Sequence, residues 1–114
     1  MSEEVSLNGK QLVYSYPQLG MRFRLIFGGN DFTMQRLHNE GEPPFPPMEY
    51  QARKLENGMY IFAFHMPDET YVSLFIDPAR EKLHNSMVWG PEQRPNFDWV
   101  WGIEEANIEV FGAQ

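Results

Sequence analysis

Apolar and polar residues alternate with a period of two along nearly the whole chain, and turn-forming residues interrupt the alternation at short intervals. Leu12, Tyr14 and Tyr16 alternate with Val13 and Ser15. After a turn around Pro17 to Gly20, Met21, Phe23, Leu25 and Phe27 alternate with Arg22, Arg24 and Ile26. The two arginines mark the solvent face of that strand, because a guanidinium is costly to bury unpaired. Gly28-Gly29-Asn30-Asp31 predicts a hairpin into a third strand, Phe32 to His38. A fourth strand, Met48 to Leu55, leads to Asn57-Gly58, the pair that tight hairpins favour. The fifth, Met59 to Met66, is the most apolar; Pro67-Asp68-Glu69 turns it into Thr70 to Ile76. Asp77-Pro78-Ala79-Arg80 turns that strand into Lys82 to Trp89. Gly90 to Asn96 then breaks the pattern before a last stretch holding Trp99, Trp101 and Ile108 to Phe111.

About seven or eight short strands, spaced roughly eight to twelve residues apart and without a helical period, predict an all-β chain. Consecutive tight hairpins favour a small antiparallel up-and-down β-barrel over a sandwich, whose topology needs long crossovers. Between Asn39 and Pro47 stand four prolines in five residues, which cannot donate ladder hydrogen bonds; a loop or rim segment is expected there. Residues 1–6 carry no such pattern and are expected to fray. With 114 residues the chain has room for one core, so residues 1–114 are read as a single domain.

Composition narrows the function classes. Hydrophobic residues make up 42% and aromatic ones 15%, enough for a core dominated by rings. A net charge of −7 leaves no stock of clustered Lys and Arg for neutralising phosphates, which argues against nucleic acid and against anionic membranes. The chain has no cysteine, so thiolate nucleophiles, disulfides and Cys-based zinc sites are excluded. The opening MSEEVSLNGK is acidic and lacks an apolar signal core, and no apolar run reaches membrane-spanning length; a cytoplasmic protein is the expectation.

Several segments resemble a known group. Leu7-Asn8-Gly9-Lys10 followed by Tyr14-Ser15-Tyr16 is similar to the opening of bacterial phenolic acid decarboxylases. Asn57-Gly58-Met59-Tyr60, Pro67, Thr70-Tyr71-Val72-Ser73-Leu74, Pro78 and Lys82-Leu83-His84 are similar in order and spacing to the same family and to MoaF-like proteins. The likeness runs from about residue 7 to residue 90. It implies a lipocalin-like (calycin) barrel, and homodimers are usual in the resembling families. In the decarboxylases, a tyrosine pair on the first strand grips a substrate carboxylate, a glutamate ending the fifth strand does acid-base chemistry, and an arginine assists. Tyr14 and Tyr16 fall on the tyrosine positions, but the glutamate position is Met66 and no arginine can be aligned. The resemblance therefore carries the fold and little of the machinery.

Tyr14 and Tyr16 project from one side of their strand, as paired phenolic donors or as ordinary core aromatics. Phe62, Phe64, Met66, Val72, Met87 and Trp89 are expected to line the interior with them, and Asn85 shares the face of Met87 and Trp89. The strand Tyr71 to Ile76 is apolar on both faces, so its inward set rests on the family register. His38, His65 and His84 are scattered over three strands and read as surface residues, so no metal and no cofactor is expected. Arg36 alternates with Phe32 and Met34; it either meets an anionic ligand or emerges at the barrel mouth. Trp99 and Trp101 cap a barrel end, form a dimer surface or pack in the core, while Asp98, Glu104 and Glu105 read as a solvated face. The functional expectation is a MoaF-like barrel binding a small aromatic or partly apolar molecule. Its rivals are a lyase or isomerase acting on a phenolic or enolisable substrate, and a partner-binding barrel using the tryptophans.

Overall fold

In a computed structural model, which describes residues 3–39, 41–66, 70–89 and 100–114, the chain is all-β and forms a nearly closed antiparallel barrel of the calycin-like, up-and-down kind. The strands are β1 (Glu3–Glu4), β2 (Lys10–Tyr16), β3 (Met21–Phe27), β4 (Asp31–Arg36), β5 (Met48–Glu49), β6 (Gln51–Lys54), β7 (Tyr60–His65), β8 (Tyr71–Asp77), β9 (Lys82–Trp89) and β10 (Val100–Ala113). Each hairpin neighbour pairs with the next, and β10 returns to pair with β2. No helix among the described residues is long and apolar enough to cross a membrane.

Closure is achieved by one bent stretch. β5 pairs with β4 through Phe32 and Met48, whereas β6, one residue later, pairs with β7 through Ala52 and Phe62. The fourth strand expected over Met48 to Leu55 is therefore broken at Tyr50, and each half joins a different edge. Tyr50 pins this seam: its hydroxyl accepts from the Leu7 amide at 2.9 Å and donates to the Gly28 carbonyl at 3.0 Å. A phenol bridging two backbone groups satisfies polar atoms that stand outside the strand ladders. Where fraying is expected over residues 1–6, Glu3 and Glu4 pair with Lys54 and Arg53, Val5 donates to Ala52, and Leu7 is fully buried.

The last strand is longer than the alternation predicts. β10 runs for 14 residues through Ile103, Glu104 and Glu105, pairing with β9 along its first half and with β2 along its second. Hydrogen bonding to two neighbours outweighs the weak strand preference of glutamate, which reports side-chain packing more than backbone preference. A register shift between Ile108 and Val110 leaves Glu109 as a bulge, and its carboxylate clasps Arg22 of β3 through contacts of 2.8 Å. At the hairpin between β6 and β7, Gly58 holds φ 82°, a conformation that side-chain-bearing residues resist.

Inward positions fill the barrel with rings. Phe27, Phe32, Tyr50, Phe62 and Phe64 form one cluster, with centroid separations of 4.8 Å for Phe32–Phe64 and 5.1 Å for Phe27–Phe62 and Phe32–Phe62. Steep interplanar angles, 72° to 86° in these pairs, set positive ring edges against negative faces. Val72, Leu74 and Ile76 are the buried set on β8, and Tyr71 and Phe75 are exposed, in agreement with the family register.

Candidate ligand-binding site

The strand ends Tyr16, Arg36, His65 and Trp89, with the strand starts Met21, Tyr71 and Val100, mark one end of the barrel, here the upper end. Cross-strand register gathers the expected residues there. Phe64, Val72, Met87 and Gly102 make one inward rung across β7 to β10; Phe62, Leu74, Asn85 and Glu104 make the rung below. Tyr14 and Tyr16 face the same interior from β2 and are buried, their rings edge to face at 5.7 Å. Met66 is half-buried at the end of β7, its amide bonded to the carbonyl of the buried Thr70. Trp89 ends β9, but its side chain lies outside the described residues, as do Trp99, Asp98 and the side chain of Trp101.

Burial is graded along the barrel. Leu12, Leu25, Phe27, Phe32, Phe62, Leu74, Ile76 and Leu83 are 0–2% exposed, whereas Tyr16, Phe23, Phe64, Val72 and Asn85 at the upper end are 4–7% exposed. Met87 is half-buried. Every residue of the upper set is nonetheless buried, only slightly less completely than Phe62 and Leu74 on Asn85's own rung.

A polar cluster sits among these upper residues. The Asn85 amide nitrogen donates to the Tyr16 hydroxyl at 2.6 Å and to the Met87 sulfur at 3.1 Å. Tyr16 reaches across β10, where Ala106 is small enough to let the phenol pass. Both amide hydrogens of Asn85 are thereby used, but its buried Oδ1 has no partner among the described residues. The Tyr14 hydroxyl likewise makes no hydrogen bond with a described residue. Burial, then the neighbouring Tyr16, pushes the Tyr14 pKa well above its ordinary 10.0. Burial also raises the Tyr16 pKa, against the lowering hydrogen bond from Asn85, and the charge of Glu104 raises it further. Both phenols therefore stay protonated through the neutral range and act as donors.

Alternation in the sequence does not reveal Glu104 as part of this site. Glu104 is exposed, as a solvated residue should be, but pairing with Asn85 places it on the inward-facing side at the mouth; that signal is the β9–β10 register, which no local pattern carries. Arg36 faces inward opposite Phe23 and emerges at the mouth, its guanidinium 3.8 Å over the Phe45 ring and 2.7 Å from Glu42. The proline-rich stretch is thus a rim segment, with Phe45 bonded to Met34 and packed on the core. His38, His65 and His84 are exposed and do not converge; His84 pairs with Glu105 at 3.2 Å. Among the described residues no group of three or more His, Cys, Asp or Glu is placed to hold a metal.

A solvent-open concavity of about 400 Å³ lies against β5 to β8, lined by Ala63, Ser73, His65 and Tyr71 together with Tyr50, Phe64 and Val72. Tyr14, Tyr16 and Asn85 do not line it. No family model matches the chain, and no curated protein matches it.

Proposed function

We propose that the upper end of the barrel binds one small, flat, partly apolar molecule, in the manner the MoaF-like resemblance implies. The observation that supports this reading is the buried, unpartnered Oδ1 of Asn85 beside the protonated hydroxyl of Tyr16. An orphaned buried acceptor costs about 1–3 kcal/mol. A sequence selected for stability alone would place an apolar residue there, as it does one strand across at Leu74. A ligand that donates to Oδ1 recovers the lost interaction, while Phe23, Phe64, Met66 and Met87 offer its body apolar contact.

Quenching of tryptophan fluorescence by a panel of flat aromatic compounds, acidic and neutral, tests the reading. Saturable quenching that disappears in the Tyr14→Phe, Tyr16→Phe double variant supports it; no saturable response from any compound overturns it. The lyase or isomerase alternative draws on Glu104 at the mouth. The raised Tyr16 pKa runs against it, because it leaves even less of the phenolate, the form that can accept a proton, near neutrality. Incubation with hydroxycinnamic acids, followed by absorbance, checks that alternative; substrate consumption abolished by Tyr16→Phe would establish it.

A further inference from the structure

We infer that the polar end of the ligand is a neutral cis-amide edge, an N–H and a C=O side by side as in an aromatic lactam, and not a carboxylate. The inference rests on the binding reading above and goes one step further, to the chemistry recognised.

The hydrogen-bond inventory sets the demand. Asn85 spends both Nδ2 hydrogens inside the protein, on the Tyr16 hydroxyl and the Met87 sulfur, and keeps one empty acceptor. Tyr16 already accepts from Asn85 and keeps one O–H to donate. Tyr16 Oη and Asn85 Nδ2 are 2.6 Å apart, so the O–H that remains and the empty acceptor belong to two side chains bonded to each other. Tyr14 adds a second free O–H on the same strand face.

Only some polar groups match that pattern. A carboxylate accepts but cannot donate, so it would satisfy the phenols while setting negative charge against Asn85 Oδ1 and near Glu104. Among the described residues, the cation that could offset it on the inward face at this end, Arg36, is engaged by Glu42 and Phe45. An ammonium donates but cannot accept, and leaves the phenolic hydrogens opposed. An open-chain secondary amide is trans, with N–H and C=O pointing to opposite sides. A ring lactam fixes both on one edge and keeps the flat body that the aromatic lining accommodates. The tyrosine pair that the decarboxylase resemblance associates with carboxylate capture is thus coupled here to an amide that changes what it selects.

Three probes of nearly one shape separate the possibilities: carbostyril, a bicyclic aromatic lactam; N-methylcarbostyril, which lacks the donor; and naphthoate, a carboxylate. Titrations followed by tryptophan fluorescence and by ligand-observed NMR at neutral pH should give carbostyril about a tenfold or greater advantage over N-methylcarbostyril, the expected effect of leaving a buried acceptor unpaired. In Asn85→Leu that advantage should vanish, with folding checked by circular dichroism. Equal affinity for the N-methyl compound, or tighter binding of naphthoate, overturns the inference and leaves the binding reading standing. Failure of all three probes to bind overturns both.

Discussion

Replacing Asn85 with leucine and Tyr16 with phenylalanine together should make the protein more stable while weakening its binding of ligand. The two substitutions keep side-chain volume roughly constant at positions that are 6% and 4% exposed, and leave neither partner of the pair unpaired. They remove a buried, unpartnered carbonyl, relieving about 1–3 kcal/mol, and lose the Asn85–Tyr16 hydrogen bond, a net contribution of about 0.5–1.5 kcal/mol. The balance favours the variant by roughly 1 kcal/mol. Unfolding entropy near about 2.1 cal/mol/K per residue over 114 residues gives about 240 cal/mol/K, so the midpoint of thermal unfolding should rise by about 4 °C. Urea denaturation followed by circular dichroism checks the same quantity, with the midpoint shifted and the slope unchanged. A loss of stability of about 1 kcal/mol or more would mean that Oδ1 is satisfied in the folded protein, and the argument from the orphaned acceptor would fail.

Other outcomes follow from the same contacts. Tyr14 holds its proton more tightly folded than unfolded, so its contribution is complete below the ordinary 10.0 and declines as pH rises beyond it. Tyr14→Phe should therefore flatten the alkaline fall in stability by up to about 1.4 kcal/mol per pH unit above about pH 10, read from urea midpoints across the alkaline range. Tyr50→Phe strips a partner from the Leu7 amide and the Gly28 carbonyl; a cost of about 1–3 kcal/mol is expected, with faster hydrogen exchange at Leu7 as the local signature. Phe62→Ala removes a fully buried ring that contacts Phe27, Phe32, Tyr50 and Phe64, and should cost about 3–5 kcal/mol by denaturant unfolding.

The fold was legible because its signal is local. Period-two alternation, Asn57-Gly58 and the arginines of β3 each report on a few neighbouring residues, and together they define a meander of hairpins. The seam at Tyr50 was not legible: Met48 to Leu55 reads as one strand, and only the two separate edges it meets decide that it breaks. The side that the exposed Glu104 faces was not legible for a related reason. Its facing depends on which β9 residue it opposes, and Glu105 beside it does lie on the outer face, against His84. Tyr14, Tyr16 and Asn85 could be singled out one by one, since a polar group on an apolar face is conspicuous. That Tyr16 and Asn85 touch across 69 positions of chain depends on β10 lying between their strands with a small residue at Ala106. Arg36 left two readings open, and the proline-rich rim decides between them by supplying Phe45 and Glu42.

The side-chain amide resonances of Asn85, followed by NMR as carbostyril is added, give the most direct reading of the site. If the upper barrel end is where the ligand's polar edge docks, those resonances shift saturably, together with the backbone amides of Tyr16, Val72 and Met87. Amides at the lower end, at Leu7, Ile76 and Leu83, stay in place. Shifts confined to the outer face around Ala63 and Ser73, or an Asn85 amide unmoved while ligand saturates, would contradict the account.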